Sequence, residues 1–151
     1  MSQLVFVRHG QTEANRNGVL LGRLDPPLND AGRDQVREVA TKLARLEPAR
    51  VVTSPLARAV ETAEIVAAAC ALDVVIDARL IEVDYGEYDG LTRAEILKQR
   101  PGWRLFFDGC PGGESAAQVG GRADRVIGRL RALEGDVLLF SSGHFLRVLA
   151  A

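Results

Sequence analysis

A chain of 151 residues is long enough to bury one hydrophobic core and short for two. Its 19 Lys and Arg against 20 Asp and Glu leave a net charge of −1, without the basic excess of a nucleic-acid-binding or membrane-surface protein. No apolar run reaches membrane-spanning length, and Cys70 and Cys110 fit neither a disulfide framework, a zinc site nor a CxxC redox pair.

Met1-Ser2-Gln3 leads straight into the apolar run Leu4-Val5-Phe6-Val7, so no signal peptide is expected and a reducing cytoplasm is the natural setting. That run reads as a strand buried on both faces. Residues 31–46 follow as an amphipathic helix with Val36, Val39, Ala40, Leu43 and Leu46 on one stripe. Asn29 is its expected N-cap, and Leu28 is expected to staple its start. Val51-Val52-Thr53 is a second strand. Ser54-Pro55 then reads as a cap with proline at the first helical position, opening a helix through Ala59, Val60, Ala63, Ile65, Val66 and Ala67. Cys70, in that alanine-rich run, is expected to be a small core residue. Val74-Val75-Ile76 is a further strand candidate of the same buried type.

Thr92 with Glu95 and Ser115 with Gln118 each match a capping box, and Pro101-Gly102 stops the first of the two helices. The second carries Val119, Ala123, Val126, Ile127, Leu130 and Leu133 at helical spacing. Val137-Leu138-Leu139-Phe140 is the last strand. Phe145, Val148 and Leu149 read as the opening of a helix that continues past residue 151, so one domain with a truncated C-terminal part is expected. Strands alternating with helices imply an α/β fold, a three-layer α/β/α sandwich around a mostly parallel sheet.

Polar clusters directly follow three of the buried runs: Arg8-His9-Gly10, Ser54 to Arg58, and Ser141-Ser142-Gly143-His144. In open α/β sheets ligands bind beyond the carboxyl ends of the strands, so all three clusters are expected to face one crevice. Together they hold two arginines and the chain's two histidines, with glycines beside both imidazoles. Zinc is the main rival use of two histidines, but it wants a third Cys, Asp or Glu ligand. Arg8 and Arg58 argue for phosphate instead, since guanidinium groups repel a cation and fork onto phosphate oxygens.

Arg8-His9-Gly10-Gln11-Thr12-Glu13, with Asn15 beyond, resembles the signature of the histidine phosphatase superfamily, which includes the phosphoglycerate mutases. Ser54-Pro55-Leu56-Ala57-Arg58-Ala59-Val60-Glu61-Thr62-Ala63 resembles its second motif, and Ser142-Gly143-His144 its last. Glu82, within Leu80-Ile81-Glu82-Val83-Asp84-Tyr85-Gly86-Glu87-Tyr88-Asp89-Gly90, occupies the position of its proton donor. The motifs fall in the family's order from Leu4 to the final residue.

The resemblance implies a phosphoglycerate mutase-like fold and a metal-independent transfer through a phosphohistidine on His9. Arg8, Arg58 and His144 would supply positive charge, and Glu82 would donate a proton to the leaving alkoxide before taking one from water. Substrate binding would involve Arg8, Gly10, Asn15, Arg58 and Gly143. Gly22 and Arg23 fall where the family's substrate loop lies, although Leu21 replaces the threonine common in mutases. Asn15 also suits a plain turn, and Asp84 and Glu87 compete with Glu82 as the donor. Neither a metal nor a cofactor is implied.

Mutases of the family carry a long, basic insertion after the donor glutamate. Here that stretch is short, and Lys98, Arg100 and Arg104 read as a solvated face. Trp103, Phe106 and Phe107 suit either a cap over the crevice or core under a loop. The expectation is therefore a phosphatase acting on small phosphorylated metabolites, nearest the branch that includes sugar-bisphosphatase and bacterial acid phosphatase members. A cofactor-dependent phosphoglycerate mutase and an inactive phosphate-binding module are the alternatives. A homodimer is left open.

Overall fold

A computed structural model describes residues 2–151. The four apolar runs become the strands β1 (Leu4–Arg8), β2 (Arg50–Thr53), β3 (Val74–Ile76) and β4 (Val137–Ser141). They pair in parallel as one sheet in the order β1-β4-β2-β3. Between and after them come α1 (Glu13–Arg16), α2 (Asp30–Ala44), α3 (Ala57–Cys70), α4 (Arg93–Gln99), α5 (Leu105–Asp108), α6 (Ala116–Leu130) and α7 (Gly143–Ala150).

The twofold period of a strand sends alternate side chains to opposite faces. Leu4, Phe6, Val52, Val137 and Leu139 join one apolar cluster, with α6 and α7 above them. Val5, Val7, Val51, Leu138 and Phe140 join the other, covered by α2 and α3. The result is the expected three-layer α/β/α sandwich.

Only the two central strands match the expectation of burial on both faces. β4 is buried throughout, and β2 after its first residue. β1 is half-buried, while Val75 and Ile76 of β3 are 56% and 57% exposed. Both lie at the sheet's margins, where a strand has one pairing neighbour instead of two.

The α2 stripe is narrower than its spacing suggested. Val36 and Ala40 are buried and Leu43 is half-buried, but Val39 sits at the margin and is exposed. Leu46 is exposed because the helix has already ended at Ala44. Asn29 caps α2 by accepting from the Gly32 amide at 2.8 Å. Leu28 packs into the cluster beneath α2 and α3 rather than stapling the first turn, where Arg33 stands.

Ser54-Pro55 does not open α3. Ser54 continues the line of β2, its amide donating to Phe140 at 2.9 Å, and the helix starts only after Leu56. Asp25, from a distant loop, accepts from the Ala57 amide at 2.7 Å and satisfies one donor of that uncapped terminus. The capping boxes at Thr92 and Ser115 both form. Gly102 follows α4 at φ +76° and ends it where the Pro-Gly signal placed the stop.

α2 begins hard against the loop that leaves β1. A Cβ on Gly32 would lie 2.2 Å from the Gln11 carbonyl oxygen and 2.8 Å from its amide nitrogen, and the Asn29 amide donates to that carbonyl at 3.0 Å. Neither backbone can yield without moving residues 8–11. Gly32→Ala is expected to destabilise the fold by about 1–3 kcal/mol, the usual range for forcing extra volume into a packed site. Urea unfolding midpoints measure this, and an unchanged midpoint would show that the contact is looser than described.

Candidate active site

β1 and β4 are neighbours in the sheet, yet the chain leaves them toward opposite faces, through α2 on one side and α7 on the other. Such a divergence opens a crevice beyond the strand ends. A cavity of about 280 Å³ lies there. Its floor and walls include Arg8, His9, Asn15, Glu82, Gly143 and His144, so most of the residues singled out in the sequence meet at one place.

His9 is held from two sides. Its amide donates to the Ser141 carbonyl at 3.1 Å, continuing the β1–β4 ladder one residue further. Its ring Nδ1 lies 2.6 Å from the Gly10 carbonyl oxygen. A carbonyl only accepts, so Nδ1 carries the proton and Nε2 presents a lone pair. Burial lowers the ring's pKa from 6.5 to about 4, with Arg58 and Arg8 pressing the same way against the bond to Gly10. A neutral imidazole with its free nitrogen fixed in place is the form needed for nucleophilic attack.

Glu82 is 4% exposed and sits under the N-terminus of α7, whose own N-cap Ser142 gives no side-chain bond. Its carboxyl accepts from the amides of Phe145 at 2.8 Å, Val83 at 2.9 Å and His144 at 3.3 Å. Burial raises its pKa above the usual carboxylate range, although those three amides and Arg58 oppose the rise. Asp84 is engaged locally, accepting from the Gly86 amide at 2.9 Å, and neither Asp84 nor Glu87 lines the cavity.

His144 stands on the first turn of α7, edge-on to both Tyr85 and Phe106. Its Nδ1 bonds to the Tyr85 hydroxyl. Burial drives the tyrosine pKa far up, so that hydroxyl keeps its proton and can donate to Nδ1, which leaves the neutral ring's one N–H on Nε2. Burial, then Arg147 and Arg8, lower the His144 pKa to about 4.

The remaining predicted residues divide. Asn15 lines the cavity; its Oδ1 accepts from the amide and hydroxyl of Thr12, which leaves Nδ2 as the group available to a ligand. Gly10 does not offer its amide there, because that amide donates to Thr62 at 3.0 Å. Gly22 likewise gives its amide to Asp89 at 2.8 Å and stands behind the cavity wall formed by residues 18–21. Arg58 is fully buried and does not line the cavity. Its two terminal nitrogens donate to the carbonyls of Leu24, Leu21 and Gly22 at 2.8–3.1 Å, while Nε has no partner. In this arrangement Arg58 holds the 21–24 loop and adds charge from beneath.

A profile of the histidine phosphatase superfamily (branch 1) matches residues 4–151. The chain belongs to that family. Sedoheptulose 1,7-bisphosphatase from Saccharomyces cerevisiae is 34% identical over 97% of this chain, and an acid phosphatase from Mycobacterium tuberculosis is 38% identical over 96%. The chain spans 65% of the yeast protein's length and 72% of the mycobacterial one's. A mycobacterial glucosyl-3-phosphoglycerate phosphatase solved with VO3 superposes with a TM-score of 0.93 at 34% identity, over 100% of this chain and 81% of that one.

Within this histidine phosphatase domain, a half-buried clamp missed by the sequence reading fixes Glu82. Arg122 on α6 lies 4.0 Å over the Phe145 ring and donates to the carbonyls of Arg79 and Ile81 at 2.7 and 2.6 Å. It also pairs with Glu114 at 2.9 Å, and Glu114 in turn accepts from the Asp84 amide at 2.9 Å. The backbone on both sides of Glu82 is therefore tied to one ion pair. Gly86, at φ +52°, lets that loop press against Pro111, whose carbonyl oxygen a Cβ would meet at 2.1 Å. Tyr85 and Arg147 were also missed. For Arg147 a signal existed: it follows His144 by three residues and so shares its face of α7.

The aromatic cluster splits between its two readings. Trp103 is core, its indole donating to the Gly109 carbonyl at 2.7 Å. Phe106 contacts His144, and Phe107 is 77% exposed beneath the Arg104 guanidinium.

Two measurements probe this geometry. With only two histidines, long-range 1H–15N spectra should show both rings neutral at pH 6, with the His9 proton on Nδ1. An imidazolium pattern for His9 at that pH would contradict the burial described. Both folded pKa values lie below the unfolded value of 6.5, so the unfolded chain binds more protons between pH 6.5 and about 4. These two rings therefore lower stability as pH falls through that window. Separately, Arg122→Met leaves the half-buried Glu114 with only its longer contact to Arg23 and should cost about 1–3 kcal/mol in urea unfolding. A loss under 1 kcal/mol would show that the clamp is dispensable.

Proposed function

We propose that this chain hydrolyses small phosphomonoesters, sugar phosphates among them, through a covalent phosphohistidine on His9. One observation carries the reading: a neutral imidazole with Nε2 free shares a cavity with Arg8, His144 and a buried carboxyl of raised pKa.

In the first step the His9 Nε2 lone pair attacks phosphorus, and the bond from phosphorus to the ester oxygen breaks. Protonated Glu82 gives its proton to the departing alkoxide. Arg8 and the Nε2–H of His144 stabilise charge on the equatorial oxygens, with Asn15 Nδ2 as a further donor and Arg58 adding charge from below. In the second step water attacks the phosphohistidine while ionised Glu82 takes its proton. Phosphate leaves, and both His9 and Glu82 return to their starting forms. The three backbone amides on Glu82 make its charged interval tolerable in a buried place.

Hydrolysis is favoured over mutase chemistry because Lys98, Arg100 and Arg104 do not line the cavity. Arg100 reaches the Asp108 carbonyl and Arg104 covers Phe107. No second phosphate clamp is built from that segment. The names of the relatives, a sedoheptulose bisphosphatase, an acid phosphatase and a glucosyl-3-phosphoglycerate phosphatase, support phosphorylated sugars and acids as substrates. No metal takes part in this scheme. Free thiols at Cys70 and Cys110 support a reducing, cytoplasmic setting.

Activity toward p-nitrophenyl phosphate is expected to survive a chelator and to fall at least about a thousandfold in His9→Ala, since the nucleophile is removed. Acid-labile 32P on the chain, absent from that variant, would mark the intermediate. Glu82→Gln should reduce turnover of an alkyl phosphate about a hundredfold or more while changing phosphate affinity little. Full activity in His9→Ala would overturn the reading.

A further inference from the structure

The scheme above engages Arg8 and both histidines on one phosphoryl group and leaves Arg147 with no role. Arg147 stands one turn beyond His144 on α7, and both line the cavity. Its side chain is exposed, and no salt bridge among the described residues engages it. Other arginines around this side of the molecule have partners: Arg23 and Arg122 meet Glu114, Arg58 meets three carbonyls, and Arg100 meets Asp108.

The cavity is thus electrically lopsided. Two guanidiniums line it, Arg8 and Arg147, against one carboxyl, that of Glu82, which burial keeps toward its protonated form. Gly18 to Leu21, which also line the cavity, carry no charged side chain. Arg147 acts on the site even when empty, since its charge helps depress the pKa of His144. A phosphoryl group seated on His9, Arg8 and His144 has its leaving oxygen toward Glu82, and the rest of the substrate must extend toward the cavity mouth. A neutral alcohol there leaves Arg147 without a counterpart.

Resting on the phosphatase reading, we infer that Arg147 is a specificity-determining residue that pairs with a second anionic group on the leaving portion of the substrate. Preferred substrates then carry a carboxylate or a second phosphate a few bonds from the scissile ester. A guanidinium suits either anion, since its fork matches both.

Matched pairs test this in the whole chain: 3-phosphoglycerate against glycerol 3-phosphate for a carboxylate, and fructose 1,6-bisphosphate against fructose 6-phosphate for a phosphate. The doubly anionic member of at least one pair should be favoured about tenfold or more in kcat/KM, mainly through KM, with the favoured pair naming the anion. In Arg147→Gln that preference should shrink to about twofold, and Arg147→Lys should recover part of it. Equal kcat/KM within both pairs, or a preference that persists in Arg147→Gln, overturns the inference and leaves the phosphatase reading standing. Should none of the four be hydrolysed, turnover of p-nitrophenyl phosphate shows whether the phosphatase reading stands, and calorimetric binding of the same pairs decides the inference. Tighter binding of the second anion, lost in Arg147→Gln, supports the inference; equal binding defeats it.

Discussion

Five consecutive residues of β1 lie in parallel register against five of β4, from Leu4 opposite Val137 to Arg8 opposite Ser141. The His9 amide adds one more bond to that ladder. This pairing is what makes a site from the two ends of the chain. Because strand side chains alternate, a slip of one residue would exchange every inward and outward position of β1. Val5 and Val7 would leave the cluster under α2 and α3, and the Arg8-His9 turn would emerge on the wrong side of α7. The apolar clusters on the two faces of the sheet forbid that slip. Precision at the site thus derives from packing far below it.

Burial then sets the protonation states. The same loss of solvent that lowers the pKa of His9 and His144 raises that of the Glu82 carboxyl. One dry floor thus shifts a base and an acid in opposite directions, toward a free imidazole nitrogen and toward a proton kept on the carboxyl. The N-terminus of α7 has a second use here. Its free amides would ordinarily attract an anion, but two of them already donate to the Glu82 carboxyl. Helix, acid and His144 are therefore positioned as one unit, and the Arg122–Glu114 pair secures the loop that delivers the acid.

Features that depend on nearby residues were legible in the chain. The strand runs, the capping boxes at Thr92 and Ser115, and the placement of His9 and His144 after β1 and β4 follow from local pattern and strand direction. Features that depend on where a distant loop settles were not. Arg58 reads as a phosphate ligand beside Ser54, yet its terminal nitrogens hold the 21–24 carbonyls, a loop whose path no periodicity describes. Gly10 and Gly22 read as substrate-binding positions, but their amides are taken by Thr62 and Asp89 from elsewhere in the chain. The start of α3 was misplaced for a similar reason: Asp25 supplies from another loop what Ser54 was expected to give. Tyr85 and Arg122 carry no motif that marks them.

The carbonyl of Gly10 has a consequence beyond selecting a tautomer. In the proposed reaction the imidazole gains a bond to phosphorus at Nε2 and becomes cationic, and its positive charge spreads to the Nδ1–H. That hydrogen already points at a fixed oxygen 2.6 Å away, so the bond strengthens as the charge develops, with nothing to rearrange. A contact of ordinary strength in the resting protein becomes a stronger one at the moment of transfer, which is the condition for lowering a barrier rather than merely holding a substrate.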